Sequence, residues 1–196
     1  MRTKKGENTV EHKGTVRLET ERLVLRRFVL DDAENMYKNW GSQEEVTRYL
    51  TWGVHDSVDV TRAILRSWLE DYEREDCYAW AMELKELGEV IGSISVVALH
   101  PGTESVELGY CMGRRWWGQE LMPEAVRAVE RFLFEEVGCL RIAAAHDRDN
   151  PKSGRVMEKA GMSREGTLRA SGRNNRGIVD MVWYSILRQE YEEKKS

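Results

Sequence analysis

A strand, a glycine-containing loop and a helix follow one another near the middle of this 196-residue chain. Residues 106–112 alternate between apolar side chains and small or polar ones, which predicts a β-strand with Glu107 on its less apolar face. From Gln119 onward, apolar residues recur at helical spacing. A helix N-terminus carries free N–H groups and a partial positive charge, and Gly118 lets a ligand approach the backbone closely. The pattern predicts a phosphate or pyrophosphate site, although an ordinary strand-to-helix turn would read the same way.

The surrounding residues predict the elements that would position this loop. Their order indicates an α+β (mixed α/β) domain over residues 17–196, after a flexible tail over residues 1–16. The predicted strands are the second half of residues 17–28 and residues 77–84, 90–99, 105–112, 139–145, 164–168 and 178–187, with a loop over 171–177. The predicted helices begin after Asp31 and Asp32, after Ser57, at Gln119 and, behind Asn150 and Pro151, at Ser153.

Composition limits the class of protein. The length suits one domain with a full core, and 41% hydrophobic and 33% charged residues fit a soluble globular chain. A formal net charge of −4 gives no general nucleic-acid footprint, and no apolar run reaches the ~18 residues of a membrane span. The N-terminus lacks the apolar core of a signal peptide, so a cytoplasmic location is expected. Cys77, Cys111 and Cys139 form no C-x-x-C pair, so neither a zinc site nor a disulfide is predicted.

Residues 115–120, which read RWWGQE, resemble the Q/R-x-x-G-x-G/A loop of the GNAT N-acetyltransferase superfamily. In that family the backbone amides of this loop hold the pyrophosphate of acetyl-CoA, so the resemblance implies an acetyl-CoA site without a metal. Glu120 stands where the family usually has Gly or Ala, and its carboxylate must point away from a bound pyrophosphate. The order of elements is also similar to the GNAT fold, which implies a central, mostly antiparallel sheet flanked by helices.

A second segment, residues 150–162, resembles the N-x-x-S-x-x-V-x-x-K-x-G-F pattern of the same family. Many relatives carry a Tyr seven residues after the Asn as proton donor to the thiolate, but Met157 stands there and cannot donate. Ser153 is therefore the candidate that hydrogen-bonds the leaving thiolate, unless it only bonds the first turn of its own helix. The implied acetyl-CoA contacts are Cys111, Met112, Arg115, Trp117, Gly118, Gln119, Glu120, Leu121, Met122, Asn150, Lys152 and Ser153.

Acetyl transfer to an amine needs a base, because an alkyl amine is mostly protonated near pH 7. Glu107 lies on the strand before the loop and could accept the amine's proton directly or through water. Members of the family often use an acid on this strand, and a surface Glu paired across strands is the other interpretation. His146 and Asp147 are reserve bases. Backbone N–H groups near residues 111–113 could stabilise charge on the thioester oxygen.

The sequence identifies the acceptor amine less specifically than it identifies the cofactor. In the family the N-terminal helices and the loop between them form one wall of the acceptor cleft, which implies Trp52 and His55 as acceptor contacts beside Glu107. Residues 20–26, TERLVLR, resemble the first strand of the ribosomal-protein-serine/alanine N-acetyltransferase branch, which modifies N-terminal amines. The prediction is an enzyme, monomer or homodimer, that acetylates a primary amine by direct attack, such as the N-terminus of a ribosomal or other protein. A small-molecule amine or amino-acid acetyltransferase and a non-catalytic acyl-CoA-binding protein are the alternatives.

Overall fold

One continuous sheet forms the centre of the molecule in a computed structural model that describes residues 10–195. Its strands are β1 (Leu18–Glu19), β2 (Leu23–Arg26), β3 (Ala79–Leu84), β4 (Glu89–His100), β5 (Ser105–Met112), β6 (Arg141–Asp147), β7 (Ser163–Asn174) and β8 (Gly177–Leu187). They lie in the order β1-β2-β3-β4-β5-β6-β8-β7. Neighbours are antiparallel except β5 and β6, which are parallel. The predicted mixed α/β fold with a mostly antiparallel sheet is confirmed.

Helices cover both faces of this sheet. They are α1 (Ala33–Met36), α2 (Glu44–Thr47), α3 (Val58–Asp71), α4 (Leu121–Phe132), α5 (Pro151–Ala160) and α6 (Arg188–Glu193). Short 3₁₀ turns cover Leu30–Asp32, Pro101–Thr103 and Arg114–Trp116, and π-helical turns cover Tyr37–Gly41 and Leu133–Val137. Between residues 10 and 195, no helix is long and apolar enough to cross a membrane.

Two apolar cores lie on opposite faces of the sheet. On one face, α4 and α5 pack against the even-numbered side chains of β5, including Val106 and Leu108. On the other face, α1 and α3 enclose the fully buried Trp40 and Leu65, and Cys111 of β5 lies at the edge of this second core. The alternation of β5 therefore places successive side chains in different cores, as the sequence pattern predicts.

The last two strands form a long hairpin, whereas the sequence predicted a loop over residues 171–177. β7 remains paired with β8 to Asn174, with a register shift between Leu168 and Gly172. Ala170 has a φ of 50°, which marks the irregular point. Gly172 lets Met181 approach closely, because a Cβ there would lie 2.6 Å from the Met181 sulfur. A bulge of this kind disrupts the ladder locally, and the pairing resumes at Gly172 and Val179 beyond it.

The N-caps predicted at the first two helices have different outcomes. Ser57 caps α3 as predicted, because its hydroxyl accepts the Val60 N–H at 3.3 Å. Asp32 does not cap α1. Its carboxylate instead accepts the Val29 N–H at 2.8 Å and pairs with the Arg26 guanidinium. This carboxylate therefore joins the start of α1 to β2.

The described part of the predicted tail, residues 10–16, lies against the domain, and residues 1–9 are outside the described residues. The Thr15 hydroxyl donates to the Cys77 carbonyl at 2.9 Å, and the Trp80 indole donates to the Val16 carbonyl at 2.7 Å. These bonds join the segment to the beginning of β3. The division of the chain at residue 16 stays a prediction.

Candidate active site

The loop between β5 and α4 presents unpaired backbone donors. Gly118 and Glu120 have left-handed φ values of 76° and 62°, so α4 begins at Leu121 and not at the predicted Gln119. Within residues 10–195, no amide of residues 118–122 donates a hydrogen bond to another protein group. A Cβ at Gly118 would have no heavy atom within 4 Å, so the approach to this backbone is open. Free donors at a helix N-terminus suit a phosphate group.

Two of the sequence motifs meet at this loop. Arg22, at the start of β2, donates its backbone N–H and its Nε to the Glu124 carboxylate at 2.9 and 2.7 Å. The same guanidinium donates to the Gln119 carbonyl at 2.8 Å. Since Glu124 lies in the first turn of α4, these bonds fix the beginning of the helix and the loop before it against the sheet.

Aromatic and cationic side chains surround the loop. The Trp117 indole donates to the Met112 carbonyl at 2.7 Å and closes the end of β5. The Lys152 ammonium lies 5.1 Å from the centre of a Trp117 ring, and the Arg115 guanidinium lies 5.5 Å from a Trp116 ring. Two cations therefore lie over the tryptophans that precede the unpaired amides in the chain. Their contact with acetyl-CoA stays a prediction.

An opening in the sheet leads to the same loop. The parallel pairing of β5 with β6 ends at Leu108 and Ala144. The Gly113 amide donates to a carbonyl of β4 at 2.9 Å. Because backbone groups point alternately to either side of a strand, those of Tyr110 and Met112 point toward β6. In the described structure these two amides have no strand partner beyond the end of the pairing. The Tyr110 and Met112 amides are therefore the available donors for a thioester oxygen. The Gly113 amide, which lies in the predicted range of residues 111–113, is already bonded.

Ser153 lies on the first turn of α5 and is bonded to β5. The Tyr110 hydroxyl is 3.0 Å from the Ser153 Oγ and 3.0 Å from the Ser153 carbonyl oxygen. Burial raises the pKa of Tyr110, so its hydroxyl stays a donor. Asn150 occupies the N-cap position of α5, but its side chain makes no cap bond. It remains half-buried beside the opening.

Glu107 has a partner that the sequence analysis missed. Its Oε1 lies 2.8 Å from the His100 Nε2, between the last residue of β4 and the third residue of β5. The Glu107 side chain is 27% exposed and that of His100 is 47% exposed, so a proton on this pair has a route to solvent. Glu107 was interpreted either as a base or as a surface residue paired across strands. The structure is compatible with both, because Glu107 is paired with His100 and is still partly accessible.

The two reserve bases are less available. His146 is buried under α5, where its Nε2 lies 2.6 Å from the position of a Cβ on Gly154. Asp147 is buried and accepts hydrogen bonds from Asn174 at 2.7 Å and from Arg176 at 3.1 Å. Across residues 10–195, no three His, Cys, Asp or Glu side chains are grouped to hold a metal ion.

Cys111 faces away from α4 and α5. Its Sγ lies 3.3 Å from the Ser93 hydroxyl, and burial raises the pKa of the thiol to about 11 despite this bond. A thiol in that state is a poor nucleophile. Ser95, Gly109 and Ala143 lie beside Cys111 and Glu107 on this face of the sheet, since they occupy alternate positions of adjoining strands. The space over Gly109 is occupied by Val97 of β4, whose Cγ1 lies 2.7 Å from the position of a Cβ on Gly109.

The N-terminal loop and the β7–β8 hairpin meet over this face. Asn175 at the hairpin tip donates its side-chain amide to the carbonyls of Thr47 and Trp52 at 2.9 and 2.7 Å. Its backbone N–H donates to the Leu50 carbonyl at 3.1 Å. His55 is buried and bonded to Thr61 at 2.8 Å, and burial lowers its pKa, so it supports the loop as a neutral side chain. Trp52 stays half-buried, and acceptor contact by either residue stays a prediction.

Three functional candidates were absent from the sequence predictions: Tyr110, His100 and Asn175. Tyr110 was assigned to the apolar face of β5, and only the packing of α5 reveals its bond to Ser153. His100 is the last residue before a turn, and a β-hairpin places residues on either side of its turn opposite each other. Asn175 contacts residues more than 120 positions earlier, and no local pattern predicts such a contact.

A family comparison agrees with this arrangement. The family model described as "Acetyltransferase (GNAT) domain" matches residues 22–163. One relative is the "uncharacterized N-acetyltransferase YoaA" of Bacillus subtilis, 30% identical, with 87% of this chain and 96% of the relative covered. Another is the "[Ribosomal protein uS5]-alanine N-acetyltransferase" of Escherichia coli, 25% identical, with 77% of this chain and 80% of that protein covered.

Solved structures share the fold over most of the chain. An acetyltransferase (GNAT family) from Bacillus anthracis has a TM-score of 0.77 and 25% identity, with 89% of this chain and 99% of that chain covered. The self-immunity acetyltransferase MccE, solved in complex with acetyl-CoA and AMP, has a TM-score of 0.77. At 18% identity, with 86% of this chain and 93% of that chain covered, the second likeness concerns the fold alone.

Proposed function

This chain belongs to the GNAT family of acetyltransferases, and from that premise we propose that it transfers an acetyl group from acetyl-CoA to a primary amine that it binds above β5. The opening between β5 and β6 carries this proposal. It joins the unpaired amides of Tyr110 and Met112 to the unpaired amides of residues 118–122. The end of β5 therefore offers donors that suit a thioester, and the loop that follows it offers donors that suit phosphates.

Acetyl-CoA fits these two sets of donors by their chemistry. The amides of residues 118–122 would hold the pyrophosphate, with Lys152 and Arg115 as nearby cations. The side-chain amide of Asn150 is free to bond the pantetheine arm. When bound, acetyl-CoA supplies the acetyl group as a thioester. An amide of β5 at the opening would stabilise the thioester oxygen as it gains negative charge.

Glu107 is the base in this proposal. It is partly exposed, it lies on β5 near the opening, and its partners on the two adjoining strands, Ala98 and Ala143, are small. Its carboxylate accepts a proton from the acceptor amine, directly or through water. His100, 2.8 Å away, orients that carboxylate and lies on the route from it to solvent. The freed amine lone pair is then available for attack.

Ser153 and Tyr110 act on the leaving sulfur. If the Tyr110 hydroxyl donates to the Ser153 carbonyl, the Ser153 O–H is free to donate to the thiolate. Alternatively, the tyrosine donates to the Ser153 Oγ and polarises the same O–H. In both arrangements the pair supplies the hydrogen bond for which many relatives use a tyrosine on α5.

We propose a protein N-terminus as the acceptor, and the name of the Escherichia coli relative, a ribosomal protein uS5 alanine N-acetyltransferase, supports a protein acceptor. A small-molecule amine or amino acid is the second candidate, favoured by a different observation. The bonds of Asn175 to the loop over residues 47–52 bridge the acceptor face, which limits the space for a long peptide. A peptide that inserts only one of its ends into the site would be compatible with both the protein acceptor of the relative and the limited space.

Thermal unfolding with acetyl-CoA tests the cofactor, and NADH and ATP serve as controls. Ligand at about 100 times its dissociation constant adds about 2.7 kcal/mol of stability, a shift of roughly 5–10 °C. No shift with millimolar acetyl-CoA contradicts the proposal. Mass spectrometry of reactions with peptides bearing free or blocked N-termini, and with small amines, then separates the two acceptor classes.

Substitution of Glu107 tests the base. We expect Glu107→Gln to lower turnover by roughly 10²-fold or more while acetyl-CoA binding is unchanged, because the residue does not lie in the loop after β5. The loss should be largest at low pH and smaller at high pH, where solvent deprotonates the amine. Full activity of the variant from pH 6 to pH 9 would assign the base elsewhere.

A further inference from the structure

A carboxylate lies where the phosphate-binding loop is expected to accept an anion. Glu120 is the residue immediately before α4, and its φ of 62° is unusual for a residue with a side chain. Its side chain is 50% exposed and makes no hydrogen bond to the amides of the helix start. Instead it pairs with the Lys159 ammonium of α5. The amides of residues 118–122 therefore stay unpaired beside a carboxylate that could reach them.

We propose that Lys159 is a positioning residue for cofactor binding, which holds the Glu120 carboxylate off the start of α4 and balances its charge. This inference rests on the proposed function, because it assigns the freed amides to the phosphates of acetyl-CoA. A carboxylate near a helix N-terminus is attracted by the free N–H groups and by the helix dipole. Without a counter-ion, Glu120 would compete with the phosphates for the same donors and would repel them.

One further contact and the exposure of the side chain favour this role for Lys159. Its backbone carbonyl accepts a hydrogen bond from the Arg127 guanidinium of α4 at 3.0 Å, so its position on α5 is fixed relative to α4. The Lys159 side chain is half-exposed, so its pair with Glu120 contributes little to folding stability. Lys159 pairs with Glu120 at the start of α4 and contributes little to folding stability. Its effect is therefore on ligand binding and not on the fold.

Calorimetric titration with acetyl-CoA tests the pair in four proteins: wild type, Lys159→Met, Glu120→Gly, and the double variant. We expect Lys159→Met to raise the dissociation constant by roughly fivefold or more, since an uncompensated charge then lies at the helix start. We expect Glu120→Gly to bind at least as tightly as wild type. The double variant should recover wild-type affinity, because Lys159 has nothing left to restrain.

A matched control removes a similar pair elsewhere. Lys195→Met breaks the exposed pair of Lys195 with Glu135, which is remote from α4's start, and should leave the affinity unchanged. An equal effect of Lys159→Met and Lys195→Met would overturn the inference, and so would a double variant as weak as Lys159→Met alone. If the wild type binds no acetyl-CoA, the proposed function fails first, and the two failures are thereby distinguished.

Discussion

Tyr110 shows how one side chain can serve the site from an apolar strand face. Its ring belongs to the core under α4 and α5, and its hydroxyl reaches the Ser153 Oγ and carbonyl at 3.0 Å each. The sequence pattern correctly predicts the face of the ring, because alternation decides it. It does not predict the hydroxyl's partner, because that depends on where α5 crosses the sheet.

We expect Tyr110→Phe to lower kcat by roughly tenfold, the effect of one lost hydrogen bond of about 1.4 kcal/mol. The KM for acetyl-CoA should change little, since the loop after β5 is untouched. If Tyr110 acts through Ser153, combining the change with Ser153→Ala should cost less than the sum of the single changes. Steady-state assays of CoA release measure both quantities.

Tyr184→Phe is the matched control for this experiment. The Tyr184 hydroxyl also bonds α5, at the Glu158 carboxylate 3.0 Å away, but it lies at a different turn of the helix from Ser153. The control should keep its full kcat. Equal losses in the two variants would mean that Tyr110 only supports α5.

The loop between β5 and α4 depends on one glycine with an open approach. Gly118 has a φ of 76° and no heavy atom within 4 Å of a Cβ position, so a side chain there projects toward the ligand side and strains the backbone. We expect Gly118→Asp to weaken acetyl-CoA binding by roughly tenfold or more, because a carboxylate is then placed at the phosphate donors. Titration calorimetry measures the change.

The chain provides a control for the backbone strain. Gly88, in the β3–β4 turn, has a φ of 62° and is equally free of close neighbours. Gly88→Asp should lower stability by about 1 kcal/mol, as Gly118→Asp does, without any effect on affinity. If both variants bind acetyl-CoA as the wild type does, the loop has been assigned wrongly.

The β7–β8 hairpin is joined to the end of β6 by a buried carboxylate. Asp147 accepts hydrogen bonds from the Asn174 side chain, from the Asp149 N–H at 2.8 Å and from Arg176. Burial alone would raise the pKa of Asp147, but these bonds and the Arg176 charge outweigh it and lower the pKa below its ordinary 3.8. The stabilisation is therefore present at neutral pH and is lost as the pH falls through the lowered pKa.

We expect Asp147→Asn to lower the melting temperature at pH 7 by roughly 5 °C, the effect of about 2 kcal/mol of charge-assisted bonds. The difference from wild type should shrink below about pH 4, where the wild-type carboxyl also becomes neutral. Asp180→Asn, on the same hairpin but with a side chain 31% exposed, should give a smaller shift. A difference that is constant with pH would contradict the assigned ionisation.

Across the whole molecule, local patterns predict elements but not the contacts that join them. The strand, loop and helix of the proposed phosphate site were predicted from residues 106–132, because alternation and helical spacing are local properties. Both strands of the last hairpin were predicted, but the continuation of β7 to Asn174 was missed because its bulge at Ala170 interrupts the alternation. The pairs Glu120–Lys159 and Asn175–Trp52 join residues far apart in sequence, and only the packed fold brings them together.

Packing of the whole fold also leaves a buried carboxyl oxygen of Glu130 without a hydrogen bond among the described residues. Glu130 on α4 is 2% exposed, and its Oε1 has no hydrogen bond in the described structure. Burial raises its pKa from 4.5 to about 8, although Lys194 and Arg127 oppose the shift. The unfolded chain releases this proton near pH 4.5 and the folded chain near pH 8. Wild-type stability from this group therefore falls as the pH rises through that window.

Glu130→Gln keeps the shape of the side chain and removes its ionisation. At pH 5 we expect its melting temperature to equal that of the wild type or to be lower. At pH 9 it should melt higher, by on the order of 10 °C. Thermal unfolding by circular dichroism across pH 5–9 measures the difference, and exposed Glu136→Gln should give a flat line. A flat line for Glu130→Gln as well would mean that water or movement of α4 solvates the carboxylate. The two cores would then be less tightly closed around α4 than their packing indicates.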